Sequence, residues 1–90
     1  MGYEWLPWAL AALTGIEQYE VLQVLSARRR LPSAASSNGV PFVVISGRTL
    51  HGRPLIVAVR RIGDFDQQII GAREMTAAEL EMFEKWEATS

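Results

Sequence analysis

Ninety residues with nine basic and ten acidic side chains carry a net charge of −1, and 49% of them are hydrophobic, which is the make-up of one ordinary globular domain (1–90) with a single modest core. The lack of cysteine excludes a disulfide framework, thiolate chemistry and sulfur-ligated zinc, and fits a cytoplasmic protein. The apolar run from Trp5 to Leu13 is too short to span a bilayer, contains Pro7 and follows Glu4 rather than a basic segment, so no membrane anchor or signal peptide is expected. Met1-Gly2 opens like a myristoylation site, but position 6 is Leu6 rather than Ser or Thr. Tyr3-Glu4-Trp5 reads as a very short edge strand. Pro7, whose missing N–H costs nothing in a first turn, starts a helix running to about Leu13, which Thr14-Gly15 breaks. From Ile16 to about Arg28 the apolar residues Val21, Leu22, Val24 and Leu25 form a helical stripe, with Glu17 and Glu20 at the end where the helix dipole favours negative charge. Residues 31–39, with Pro32, several serines and Asn38-Gly39, read as a flexible loop.

The second half changes period. Val40 to Thr49 and Arg53 to Arg61 are strand-like through Phe42-Val43-Val44-Ile45 and Leu55-Ile56-Val57-Ala58-Val59, joined by the turn Leu50-His51-Gly52. A third strand of about Phe65 to Arg73 follows Gly63-Asp64. Thr76 and Glu79 then form a capping box, each side chain serving the other's backbone amide, at the head of a helix whose Leu80, Phe83 and Trp86 share one stripe. Hairpins followed by a helix predict an α+β fold: a small antiparallel sheet of three to four strands with two N-terminal helices and one C-terminal helix.

Charge is uneven along this order. Eight arginines and two aspartates between Arg28 and Arg73 give the middle a net +6, whereas Lys85 and eight glutamates give the flanks −7. A basic sheet region between acidic helices can present a phosphate-binding face despite a nearly neutral total; the same pattern also describes plain solvated surfaces.

Several strings in this order resemble the BrnT-type ribonuclease toxins of the RelE-like superfamily. They are Tyr3-Glu4-Trp5 at the start, Gly15-Ile16 leading into the second helix, Gly47 and Gly52-Arg53 in the central hairpin, Ile69-Ile70-Gly71-Ala72-Arg73 ending the third strand, and Thr76, Glu79 and Phe83 in the last helix. The resemblance implies a RelE/BrnT-like fold and a metal-independent, cofactor-free endoribonuclease of a toxin–antitoxin pair, neutralised by a small DNA-binding antitoxin. The chain departs from that pattern at Leu13-Thr14, where members often carry Lys-His, at Gln68, where many carry arginine, and at Phe83, which lacks a phenol.

Cleaving RNA to a 2′,3′-cyclic phosphate without a metal requires a base for the 2′-OH, cations for the phosphorane and an acid for the leaving oxygen. Guanidinium groups fork onto phosphate oxygens but stay charged near neutrality, so they serve the second task only. Arg73 and Arg48, with Arg53 and Arg60 or Arg61, are therefore the phosphate-binding candidates. Arg60 and Arg61 are adjacent in a strand and point to opposite faces, so at most one can join a site. The proton carriers left are His51, whose ordinary pKa of about 6.5 suits a shuttle, and Glu79, which the capping box already employs. Arg73 could equally pair with Glu79, and His51 could be a plain turn residue. Trp5, Trp8, Phe83 and Trp86 lie on apolar stripes and are expected in the core. Two other readings remain: a toxin-like scaffold that has lost catalysis and binds a protein, and an RNA-binding domain without cleavage.

Overall fold

The computed structural model describes residues 2–64 and 66–89; Phe65, the expected start of the third strand, and the ends of the 1–90 domain, Met1 and Ser90, lie outside them. The elements in chain order are β1 (Gly2–Trp5), α1 (Pro7–Ala11), α2 (Gln18–Ser26), β2 (Leu31–Ser37), β3 (Val40–Arg48), β4 (Pro54–Arg61), β5 (Asp66–Glu74) and α3 (Ala77–Thr89). Its radius of gyration of 12.7 Å is close to the ~12 Å expected of a compact chain of this length, so all elements share one body. No helix among the described residues is long and apolar enough to cross a membrane.

The fold is α+β, and two details differ from expectation. The sheet has five strands in the order β1-β5-β4-β3-β2, and it is mixed, because β1 runs parallel to β5 from Gly2↔Asp66 to Trp5↔Ile69. A segment of four residues gives no local hint of a partner sixty positions away. Residues 31–37, expected as loop, form β2 and pair antiparallel with β3 from Leu31↔Ser46 to Ser37↔Val40. Serine and alanine have little strand preference of their own, but the two-residue turn overrides it. Asn38 (φ 52°) and Gly39 (φ 80°) both adopt positive φ, the pairing that folds a right-twisted hairpin back on itself.

α2 begins with its own capping box, in which Glu17 caps the Glu20 amide and the Glu20 carboxylate accepts the Glu17 N–H at 3.0 Å. The helix lays Val21, Val24 and Leu25, together with Ile16 from the preceding turn, onto Ile45, Leu55, Val57, Val59 and Ile69 of the sheet. Gly47 lets it come close, since a Cβ there would meet Val24 Cγ1 at 3.1 Å. This helix-covered face is the core.

Strand alternation sends the other set of residues, Phe42, Val44, Ser46, Ile56, Ala58 and Arg60, to the opposite face. A bulge between Ala58 and Val59, where Gly71 pairs Ala58 and Ile69 already pairs Val59, turns both Ile70 and Gly71 to that face as well. α3 reaches across one end of it, burying Phe83, and Trp8 of α1 lies over the other end.

Candidate functional site

The opposite face is a trough. At its upper end Leu6, Trp8, Val40, Phe42, Arg60 and Ile70 line a pocket of 520 Å³. Its middle is floored by Phe42, Val44, Ile56, Ala58 and Gly71, with Arg73 beside them. At the lower end Leu31, Val44 and Ile56 meet Glu79, Met82 and Phe83 of α3 around 410 Å³. Trp8, expected in the core, is instead 63% exposed over the upper end, because α1 has only five residues and buries only Ala9.

The seven candidate residues divide over three places. Arg60 and Arg73 share the trough. Arg60 donates from Nε to Gln68 Oε1 at 2.7 Å, its cross-strand neighbour. Arg73 grips Glu79 with both terminal nitrogens, at 2.6 and 2.8 Å, and also donates to the Glu74 carbonyl at 3.1 Å. Glu79 accepts the Thr76 amide at 2.9 Å while Thr76 Oγ1 accepts the Glu79 amide at 3.2 Å, so the expected capping box is formed. The Arg73 fork, and then the Thr76 amide, hold the Glu79 carboxyl down at about 2. A carboxylate so stabilised has no proton to give near neutrality and little affinity for one.

Arg48 closes the lower end beneath α3. It meets Glu87 with two hydrogen bonds of 3.0 and 2.9 Å, lies 3.7 Å from Glu84, donates to the Gly52 carbonyl at 3.1 Å and sits over the Phe83 ring at 5.7 Å. Arg29 adds a hydrogen bond to the Glu87 carbonyl and sits 6.0 Å over the Trp86 ring. Two of the side chains that sequence reasoning assigned to phosphate, Arg48 and Arg73, thus fasten the acidic C-terminal helix to the sheet.

The remaining three lie elsewhere. Arg53 pairs with Glu20 of α2 at 3.0 and 3.2 Å and with Glu74 at 3.4 Å. His51 is exposed in the β3–β4 turn, on the side of Glu20, whose carboxyl is lowered first by the Glu17 amide and least by His51. Arg61, one residue from Arg60, points to the other face as alternation requires; it donates to the Gly63 carbonyl and to the Asp64 carbonyl, each at 3.0 Å, closing the β4–β5 turn. Of the expected catalytic trio, Arg73 and Glu79 are therefore brought together, as an ion pair, and His51 is not.

Sequence reasoning missed the apolar floor. The signal was present: Phe42-Val43-Val44-Ile45 and Leu55-Ile56-Val57-Ala58-Val59 do not alternate with polar residues, and unbroken apolar strands need cover on both faces. Helix α2 supplies one cover. No family model matches the chain, and no curated protein matches it either.

Proposed function

We propose that the chain is a BrnT-like scaffold of a toxin–antitoxin pair, acting in the cytoplasm, that has lost RNA cleavage and works by binding a protein partner in the trough. One observation carries this reading. Phe42, Val44, Ile56, Ala58 and Ile70 present an apolar floor, while the guanidinium groups of Arg48 and Arg73 are engaged by carboxylates and the carboxylates beside them, Glu79, Glu84 and Glu87, are themselves ion-paired. An RNA-binding face is lined with cations and stacking rings; an apolar strip with a charged rim suits a peptide. The occupant is an antitoxin segment with an apolar stripe for the floor and a carboxylate for Arg60.

A second reading, the metal-independent endoribonuclease, is favoured by the presence of Arg60 and Arg73 on one face: a backbone phosphate displacing Glu79 would be gripped by Arg73, and Arg60, farther along the same face, would meet another phosphate of the strand. Incubating the purified chain with total RNA in EDTA, and expressing it in a growing host, separates the two. The scaffold reading expects intact RNA and normal growth, together with co-purification of the protein encoded beside this chain, abolished by Ala58→Glu in the trough floor. Cleavage products ending in 2′,3′-cyclic phosphate, absent with Arg73→Ala, would overturn it in favour of the nuclease. Salt-dependent RNA binding with the RNA left intact would overturn it in favour of a non-cleaving RNA-binding domain.

A further inference from the structure

The two edges of the sheet are unlike. β1 is four residues long and carries the exposed Glu4. β2 is seven residues long, holds no charged side chain from Leu31 to Ser37 and, with Ser33, Ala34, Ser36 and Ser37 all exposed, has small side chains along its length. β3 is its one extensively packed neighbour among the described residues. Sheet edges are normally guarded by charge, bulges or a covering element, because their unpaired N–H and C=O groups template another strand. Pro32 is the only guard here.

Which backbone groups face outward follows from the hairpin. Ser37 and Val40 close the two-residue turn and so exchange hydrogen bonds with each other. Alternation then directs Leu31, Ser33 and Ala35 toward β3 as well, and sends the N–H and C=O of Ala34 and Ser36 outward with the C=O of Pro32. The proline agrees with this parity, since its missing donor is tolerated only on the open side.

We propose that a second copy of this chain pairs with this edge, antiparallel and centred on Ala34. In that register each Ala34 donates to and accepts from Ala34 of the other copy, and each Ser36 N–H meets the Pro32 carbonyl opposite, so every outward donor and acceptor of the central segment is used except one Ser36 carbonyl in each copy, which faces the proline. Centring on Pro32 would oppose two residues without donors, and centring on Ser36 would run Ala34 into the Asn38-Gly39 turn. Charge selects the same direction. Arg28, Arg29 and Arg30 immediately precede β2; antiparallel pairing keeps the two clusters at opposite ends, each beside the other copy's turn, whereas parallel pairing would set like charges side by side. The resulting two-fold axis stands perpendicular to the sheet, joins the two sheets into one of ten strands and leaves both troughs on the same side. The inference is independent of what the trough binds.

Sedimentation equilibrium of the full chain over a concentration series tests it. The expected weight-average mass rises from 10.0 kDa toward twice that value, and Ser36→Lys and Ala34→Pro each hold it at the monomer mass with an unchanged far-UV circular dichroism spectrum. Ala34→Pro deletes an N–H that the protomer itself does not use; should it fail to fold, Ser36→Lys alone decides. In a mixture of labelled and unlabelled chains, an intermolecular NOE joins the Ser33 and Ala35 α-protons, which face each other in this register. A mass fixed at 10.0 kDa at every concentration, or a dimer indifferent to Ser36→Lys, overturns the proposal.

Discussion

The helices α2 and α3 are held to opposite faces of one sheet by different forces. α2 drives Val21, Val24 and Leu25 into the core, all nearly inaccessible, and burial of this kind contributes about 1.5–3 kcal/mol per large side chain. α3 buries Phe83 alone and is otherwise fixed by Arg73–Glu79, Arg48–Glu87 and the Arg29 bond to the Glu87 carbonyl. Exposed ion pairs of this sort contribute about 0–1 kcal/mol each. One helix is therefore part of the main core, and the other rests on a single buried ring inside a charged clasp, which explains why arginines that look like a phosphate site from their sequence positions are already occupied.

The largest test of that contrast is Phe83→Ala. Truncating a fully buried phenylalanine costs about 3–5 kcal/mol, and Phe83 is 1% exposed. If α3 is a separable clasp, native-state hydrogen exchange of the variant shows α3 amides losing protection while those of α2 and β4 retain theirs. Simultaneous loss in α2 and α3 would mean that the two helices belong to one cooperative unit and would break the distinction.

How much of this was legible in the sequence depends on range. The Thr76/Glu79 capping box and the opposite directions of Arg60 and Arg61 could be read directly, because both follow from positions one to three residues apart. The Asn38-Gly39 turn was equally local, yet the serines around it pointed to loop, and β2 exists only because β3 is there to pair with it. The parallel β1–β5 pairing and the choice of Glu87 for Arg48, thirty-nine positions away, are set by the assembled sheet. Arginine chooses among carboxylates by geometry that composition does not encode, so a basic middle and acidic flanks predicted attraction to phosphate as readily as attraction of the middle to its own flanks. The chemistry of guanidinium and imidazole groups, together with the resemblance, supplied the candidate residues; the ion pairs decide which of them remain available.

Gly47 sharpens the α2 side of the comparison. Its ideal Cβ would lie 3.1 Å from Val24 Cγ1 and 3.6 Å from Arg30 Cβ, so Gly47→Ala pushes the helix off the sheet unless Val24 yields a few tenths of an ångström. Overpacking of this kind costs about 1–3 kcal/mol. Urea unfolding should show a lower midpoint with an unchanged slope. Pairing the change with Val24→Ala should recover part of the loss, an outcome specific to steric crowding, whereas a cost that persists in the double variant would place the effect in the β3 backbone rather than at the helix contact.

The smallest effect probes the clasp itself through pH. Glu79 titrates at about 2 in the folded chain against an ordinary 4.5, so the folded state holds the carboxylate form that the unfolded state gives up first as acid is added. Its contribution to stability is therefore complete above about 4.5 and disappears as pH falls through 4.5 toward 2. Because the side chain is 34% exposed, screening by water reduces the contribution to about 1 kcal/mol. Glu79→Gln should be less stable than the parent by that amount at pH 7 and indistinguishable from it near the acid end of this window, with the difference also shrinking in high salt. Glu87, held below its ordinary range chiefly by Arg48, should behave in the same direction. A Glu79→Gln deficit that persisted unchanged through the window would assign the loss to the Thr76 cap rather than to Arg73, and the picture of α3 as a helix fastened by guanidinium groups would fail at its clearest pair.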